Sequence, residues 1–217
     1  MAFSLLHRGL SYLYPIPVEK GMDLRGKPVR LELYRDQLML STALAVYSYG
    51  TRYHPFQKPF AHLGHELQTV KKFLLLGTGL GSALQILQQK HGVYPEATLV
   101  DQDPLMLQWS KRYMSLNTRN NVEWICADAE EFVQEDEGQY DLIGLDIFSD
   151  MTPPQFVKTE AYYRGLYRRL NPGGMLIFNV FFSSLNEQHL VETRLQQVFR
   201  STLHIPHDRN SFYICRA

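Results

Sequence analysis

The pattern of apolar and polar positions divides the chain near Phe73. Before that point, "VRLELYRD" alternates from Val29 and "QLMLST" follows a polar turn, which predicts a β-hairpin. The stretch from Tyr47 to Tyr53, "YSYGTRY", has a glycine among aromatic residues and predicts a loop. The next stretch, "PFQKPFAHLGHEL", predicts a helix entered through prolines. We therefore expect a β-rich extension over residues 1–55 and a second domain over residues 56–217.

From Phe73 onward, uninterrupted apolar strands alternate with helical segments. The strands are predicted at "KFLLLG", "ATLVDQD", "VEWICAD", "YDLIGLD" and "MLIFNVFF". Strands that are apolar on both faces indicate a parallel sheet covered by helices on both sides, which is an α/β fold. One helix is expected to begin at Thr159 and to stop at Pro172-Gly173-Gly174. The last two strands, "TLHIP" and "SFYICRA", are joined only by "HDRN" and predict an antiparallel hairpin.

Composition narrows the class of protein. The 217 residues carry a formal net charge of zero, so the basic footprint of a nucleic-acid-binding protein is missing. No apolar run approaches membrane-spanning length, and the start lacks the features of a signal peptide. Cys126 and Cys215 lie in apolar strands and are expected to be buried, reduced thiols. We expect a cytoplasmic protein whose partner is a small molecule, with no nucleic acid and no membrane.

Three glycines follow the first strand of the alternating region. In open α/β sheets, ligands bind beyond the carboxyl ends of the strands, and Gly77, Gly79 and Gly81 lie at that position. Asp101 ends the second strand about 20 residues later, where an acid can accept hydrogen bonds from ribose hydroxyls. Asp128 follows the third strand and could face an adenine. Each feature also has a purely structural explanation. The glycines could form a tight turn, Asp101 could be a turn acid, and Asp128 could be a helix N-cap.

The loop spacing discriminates between nucleoside ligands. A dinucleotide site requires G-x-G-x-x-G, in which the third glycine lets the helix pack closely against the strand. Here Ser82 follows Gly81, and Leu84 falls near the position of that third glycine. The spacing therefore favours adenosylmethionine over NAD.

From Phe73 to Phe182 the chain resembles the spermidine synthase-like branch of the class I adenosylmethionine-dependent transferases. The motifs that carry the resemblance are "FLLLGTGLGS", "LVDQDP", "ICADAEEFV" and "YDLIGLDIFSD", followed by "TEAYYRGLYRRLNPGGMLIFNV". The resemblance implies a Rossmann-like, doubly wound sheet of the class I methyltransferase type. It also implies a small β-hairpin region before the sheet, and by analogy a homodimer.

The same resemblance assigns roles to residues. It implies that the cofactor is bound by Gly77, Thr78, Gly79, Gly81, Asp101, Gln102, Asp128, Ala129 and Asp146. It implies that Asp146 activates the attacking amine and that Asp150 binds the polyamine. From the residues alone, Asp146 is a base or an orienting group for an amine, or simply caps the next loop. We expect no metal site, because no histidine pair is completed by a cysteine or an acid.

Two departures from the branch decide the expected reaction. Polyamine synthases carry an acid inside the glycine loop that recognises the aminopropyl amine of decarboxylated adenosylmethionine, and this chain has Leu80 there. One extra residue also separates Asp146 from Asp150. Without the acid, the site could accept adenosylmethionine, whose carboxylate a nearby negative charge would repel. We therefore expect a methyltransferase for a small, amine-bearing acceptor. The alternatives are an aminopropyltransferase using the decarboxylated donor and a non-catalytic nucleoside-binding or scaffold domain.

Aromatic and amide side chains complete the candidates. Tyr47, Tyr49, Tyr53 and Phe56 precede the first core strand and could fold over the site, where an aromatic face suits a sulfonium or an amine. Core packing explains at least half of them. Asn179 in "FNVFF" could donate to a substrate or satisfy the backbone.

Overall fold

A computed structural model describes residues 3–114, 121–148, 153–207 and 210–217. Asp150 lies outside these described residues. None of the helices in the described ranges has the length and apolar character needed to cross a bilayer.

The N-terminal region forms a four-stranded antiparallel sheet. Helix α1 (Leu5–Leu10) precedes strands β1 (Ile16–Met22), β2 (Pro28–Tyr34), β3 (Gln37–Ser41) and β4 (Val46–Tyr49), which pair in that order. The predicted hairpin of β2 and β3 is confirmed, and its turn residues Arg35 and Asp36 have φ values of 48° and 61°. Two left-handed residues in succession give the turn a twist that matches the flanking strands.

The prediction of a loop between Tyr47 and Tyr53 was wrong. Its first half is β4, which pairs with the open edge of β3 through Tyr49 opposite Met39. Its second half is a 3₁₀ turn over Gly50–Arg52. The aromatic side chains that suggested a loop therefore belong to an edge strand, because pairing with β3 satisfies its backbone.

The rest of the chain forms the predicted doubly wound α/β sheet. Its strands are β5 (Lys72–Leu76), β6 (Glu96–Asp101), β7 (Val122–Cys126), β8 (Tyr140–Leu145), β9 (Leu170–Phe181), β10 (Ser201–His207) and β11 (Asn210–Arg216). Its helices are α2 (His54–Leu63), α3 (Ser82–His91), α4 (Pro104–Tyr113), α5 (Ala129–Glu135), α6 (Glu160–Arg168) and α7 (Leu185–Val198).

The strand order is β10-β11-β9-β8-β5-β6-β7. Strands β5 to β9 pair in parallel, and β11 pairs antiparallel with both β9 and β10. The fold class and the C-terminal antiparallel hairpin are thus confirmed.

Alternating residues of β5 separate the two faces of this sheet. Leu74 and Leu76 belong to an apolar cluster built with α5, α6 and α7, whereas Phe73 and Leu75 belong to a cluster built with α2 and α3. Because successive strand side chains point to opposite faces, the two clusters lie on opposite sides of the sheet. Strand β5 is apolar at successive positions because helices cover both of its faces.

A third apolar cluster joins the two sheets. It includes Val29 and Leu31 of β2, Leu40 of β3, Leu80 of the glycine loop and Trp109 of α4. The N-terminal sheet therefore packs directly on the α/β region beside the predicted ligand site. The domain boundary at residues 55 and 56 stays a prediction.

Two further details differ from the sequence predictions. Helix α6 ends at Arg168, before Pro172-Gly173-Gly174, because Tyr140 at the start of β8 donates from its N–H to the carbonyl of Arg169 at 2.8 Å. That bond draws the chain into β9, and the proline and glycines become part of the strand. Cys215 is buried as expected, but Cys126 is exposed because β7 is the edge strand of the sheet.

The turn after β5 brings two backbone segments unusually close. A Cβ atom on Gly77, whose φ is 86°, would lie 2.2 Å from the carbonyl oxygen of Asp146. Asp146 in turn donates its backbone N–H to the carbonyl of Leu76 at 2.9 Å. The ends of β5 and β8 therefore meet without space for a side chain between them.

We predict that Gly77→Ala destabilises the protein far more than Gly92→Ala. Both glycines have left-handed φ values, but a Cβ on Gly92 meets nothing within 4 Å. Gly92→Ala should cost about 1 kcal/mol for the backbone conformation alone, and Gly77→Ala adds the clash with a fixed carbonyl. Urea unfolding followed by circular dichroism measures both losses. Equal losses would show that the turn relaxes freely around the new methyl group.

Candidate active site

The carboxyl ends of the parallel strands open into a cavity of about 900 Å³. Most of the predicted site residues line it, namely Gly77, Gly79, Asp101, Gln102, Asp128, Ala129 and Asp146. Thr78 and Gly81 do not form part of its wall. The strand ends meet at this edge of the sheet, so residues far apart in the sequence converge there as the topology requires.

The glycines of the loop are required by contacts within the protein. A Cβ on Gly79 would lie 3.1 Å from the carbonyl oxygen of Tyr47, and one on Gly81 would lie 2.1 Å from the sulfur of Met114. Gly81 also caps the start of α3 in a left-handed conformation, with φ of 70°. The glycines thus allow close approaches within the chain itself, to the residue after β8, to the N-terminal sheet and to the end of α4.

Asp101 connects the glycine loop to the following turn. One carboxylate oxygen accepts from the N–H of Gly79 at 3.1 Å, and the other accepts from the N–H of Asp103 at 3.0 Å. Burial raises the pKa of Asp101 to about 6, although the backbone donors lower it in part. Asp101 therefore both stabilises the turn and lines the cavity. Its carboxylate oxygens retain further lone pairs.

Asp128 likewise combines a structural role with a place in the cavity wall. Its carboxylate accepts from the N–H of Glu130 at 2.7 Å and caps α5. The neighbouring Ala129 is nearly buried and lines the cavity beside it. Gln102 lines the same side, and its carbonyl oxygen accepts from the thiol of Cys126 at 3.8 Å.

Asp146 lies at the centre of a chain of hydrogen bonds. Asn179 donates to its carboxylate at 2.7 Å, and Asn210 donates to the amide oxygen of Asn179 at 2.8 Å. Tyr53, whose ring is almost fully buried, donates its hydroxyl to the same carboxylate. Burial raises the pKa of Asp146 to about 6, against a lowering effect of the bonds from Asn179 and Tyr53. Burial and the nearby carboxylate raise the pKa of Tyr53 well above its usual range.

This arrangement yields a carboxylate that is ionised at neutral pH but more basic than an ordinary one. Two neutral donors fix its orientation and leave lone pairs for a proton from a substrate. The sequence had marked Tyr53 only as one of several aromatic residues and Asn179 as an isolated amide. Their convergence on Asp146 depends on the pairing of distant elements, which no local pattern encodes.

Sequence reasoning missed the residues that fasten the N-terminal sheet to the glycine loop. The hydroxyl oxygens of Ser48 and Ser82 lie 2.6 Å apart, and the hydroxyl of Ser48 accepts from the N–H of Leu80 at 3.2 Å. The Leu80 side chain is buried in the cluster between the sheets and does not line the cavity. The loop position at which the sequence analysis noted a departure from polyamine synthases is thus a core position in this chain.

The described residues include no group of three or more His, Cys, Asp and Glu side chains suited to a metal ion.

Comparison with known proteins places this chain in a family. Residues 53–206 match the family described as spermine/spermidine synthase domain. The chain belongs to that family. The match begins at Tyr53 and ends in β10, so it includes Asp101, Asp128 and Asp146 but not the cavity residues of the N-terminal sheet or of β11.

Curated relatives of the spermine/spermidine synthase family share about a quarter of their aligned residues with this chain. A polyamine aminopropyltransferase from Thermococcus onnurineus is 25% identical over 171 residues, covering 73% of this chain and 59% of the relative. One from Serratia proteamaculans is 26% identical over 155 residues, covering 68% and 53%. The chain therefore spans between half and three fifths of the length of these relatives.

Solved structures confirm the fold. A probable spermidine synthase from Corynebacterium glutamicum superposes with a TM-score of 0.76 at 17% identity, covering 92% of this chain and 79% of that one. Human methyltransferase-like protein 13, solved in complex with SAH, superposes with a TM-score of 0.60 at 22% identity, covering 71% and 74%. The fold is thus shared by spermidine synthases and by a methyltransferase.

We predict that Asp146→Asn stabilises the protein relative to the wild type increasingly as the pH rises from 4 to 7. The folded pKa of about 6 exceeds the ordinary 3.8, so the wild type loses stability as pH rises through that window. A shift of this size corresponds to at most about 3 kcal/mol, and the asparagine variant escapes it. Melting temperatures of both proteins across this pH range give the difference.

Asp36→Asn is the matched control for that prediction. The hydrogen bond from Arg8 lowers the pKa of Asp36, so its ionised form stabilises the fold above the ordinary carboxyl pKa. Asp36→Asn should therefore lower the melting temperature at pH 7, opposite in sign to Asp146→Asn. A pH-independent difference for Asp146→Asn would show that its carboxyl titrates alike in folded and unfolded chains.

Proposed function

We propose that this protein transfers an alkyl group from an adenosyl sulfonium donor to an amine, and that the group is an aminopropyl chain from decarboxylated adenosylmethionine. The single observation that carries the proposal is the Asp146–Tyr53 pair in the cavity wall of a spermine/spermidine synthase domain. The curated relatives named as polyamine aminopropyltransferases support the aminopropyl group over a methyl group.

The residues of the donor side fit an adenosyl compound. Asp101 offers carboxylate lone pairs to ribose hydroxyls, and Asp128 with Ala129 lines the wall on the side of β7. At Gly77 and Gly79 the backbone itself forms the wall of the cavity. We assign to these residues the nucleoside and the chain attached to its sulfur.

The proposed reaction requires little covalent chemistry from the protein. A sulfonium supplies a carbon that is already bonded to a good leaving group. The residues of the chain hold the acceptor nitrogen in line with that carbon, and Asp146 takes the proton that the nitrogen loses. As the new C–N bond forms, the C–S bond breaks and its electron pair stays on sulfur. Tyr53 and Asn179 keep the carboxylate of Asp146 directed at the nitrogen. Asp150 remains our proposed second acid for the acceptor.

Leu80 favours a second candidate, methyl transfer from adenosylmethionine. A buried leucine at this position offers no carboxylate to the amine of an aminopropyl chain. It also removes the negative charge that would repel the donor's carboxylate. The two candidates use the same Asp146 chemistry and differ in the donor and in which carbon next to sulfur is attacked.

The products distinguish the candidates. Incubation with each donor and a diamine should yield methylthioadenosine if the aminopropyl chain is transferred, and S-adenosylhomocysteine if the methyl group is transferred. We expect methylthioadenosine from the decarboxylated donor, measured by chromatography with mass detection. S-adenosylhomocysteine as the only product would replace the first candidate by the second. Binding of either donor without any product would favour the non-catalytic alternative.

The pH dependence tests Asp146 directly. With donor saturating and acceptor limiting, the plot of log rate against pH should steepen by one unit of slope below about pH 6, where Asp146 becomes protonated. Saturation with donor keeps Asp101, which titrates in the same range, from contributing to the limb. Asp146→Asn should lose roughly 10²–10⁴ in rate and lack the break. A wild-type profile without a break between pH 5 and 7 would remove Asp146 as the base.

A further inference from the structure

The hydroxyl of Tyr49 is buried without a hydrogen-bond partner in the described structure. Its residue lines the cavity, and its ring stacks on that of Tyr34 with centroids 6.2 Å apart and planes 10° from parallel. Its backbone N–H donates to the hydroxyl of Ser82 at 3.1 Å. Ring and backbone are thus both held in place, while the polar end of the side chain remains unsatisfied. A buried, unpaired hydroxyl costs free energy, which a ligand can recover.

Arg52 lies three residues further along the same segment and also lines the cavity. Within the residues that the structure describes, its guanidinium forms no hydrogen bond and no ion pair. The positive charge is nevertheless near the Tyr49 hydroxyl: burial raises the pKa of Tyr49, and Arg52 is the strongest opposing influence. A residue with a permanent positive charge and a residue with a neutral donor, three positions apart in one segment, therefore line the same cavity.

The carboxylates of the described cavity wall near the strand ends have other partners. Asp101 accepts from Gly79, Asp128 accepts from Glu130, and Asp146 accepts from Asn179. Asp103 accepts from the N–H groups of Leu105 and Leu24, both at 2.8 Å. None of these four neutralises Arg52. A charge-assisted pair of donors in this arrangement suits a ligand carboxylate.

We infer that Arg52 and the hydroxyl of Tyr49 form a subsite for the carboxylate of an amino-acid moiety. The inference rests on the alkyl transfer proposed above, and because the decarboxylated donor and a simple diamine have no carboxylate, it adds a carboxylate to one of the two substrates. Two sources carry this chemistry: the methionine end of adenosylmethionine, or an acceptor amine that bears a carboxylate. The segment's position beside the glycine loop, through Tyr49 to Ser82 and Tyr47 to Gly79, puts the subsite within the donor and acceptor cavity.

Calorimetric titration with matched ligand pairs tests the subsite independently of turnover. The first pair is adenosylmethionine and its decarboxylated form; the second is ornithine and 1,4-diaminobutane, titrated with methylthioadenosine present. The variants are Arg52→Gln and Tyr49→Phe. The matched control is Arg35→Gln, because Arg35 also acts on Tyr49 but is not a cavity residue.

In one of the two ligand pairs, each variant should weaken binding of the carboxylated ligand by roughly 10-fold or more, as expected for lost bonds to a charged group. The affinity for the matching ligand without a carboxylate should change less than about 2-fold, a difference too small to represent such a bond. A response in the first pair assigns the subsite to the donor; a response in the second assigns it to the acceptor. Arg35→Gln should leave all four affinities unchanged.

Tyr49→Phe separates a ligand role from a structural one. Because the hydroxyl has no partner, its removal should leave the melting temperature unchanged or slightly raised while affinity falls. Equal effects on both members of each pair, or no effect on any ligand, would overturn the subsite. Failure of the proposed function looks different: no alkyl product forms from either donor, whatever the variants do to binding.

Discussion

The close approach of two backbone segments at Gly77 and Asp146 determines the geometry of the whole cavity. The missing side chain at Gly77 lets the end of β5 touch the end of β8, and the bond from Asp146 to Leu76 holds the two strands together at their last residues. The glycine loop must then turn away from the sheet, and the carboxylate of Asp146 stays within reach of Tyr53 and Asn179. The glycine loop and the carboxylate of Asp146, which we assign to the donor and to proton acceptance, thus share one rigid boundary.

The N-terminal sheet supplies the other half of the enclosure. Ser48 and Ser82 fasten it to the glycine loop, and Tyr53 reaches from its end into the network of Asp146. A cavity built this way links local stability to the proposed chemistry, because the carboxylate to which we assign proton acceptance is the one that burial makes more basic. The matching family is that of the spermine/spermidine synthase domain, and our proposal of transfer onto an amine rests on it together with the hydrogen bonds of Asp146.

Much of the fold was readable from the sequence because parallel strands obey simple rules. Apolar runs gave the strands, and the carboxyl-end rule brought Asp101, Asp128 and Asp146 to one edge. The errors have a common cause, which is that long-range pairing overrides local pattern: β4 pairs where a loop was predicted, and β9 absorbs Pro172-Gly173-Gly174. The roles of Tyr53, Ser48 and Arg52 could not be predicted either, because each depends on a partner in another element.

The burial of Leu80 constrains which residues its position can accept. An aspartate at position 80 would place a charge among Val29, Leu31 and Trp109, which an apolar environment penalises heavily. An acid at this position would therefore require compensating changes in β2 and α4, so its effect would be epistatic with theirs. The residue at position 80 is in this sense coupled to the packing of a sheet some 50 residues away in the sequence.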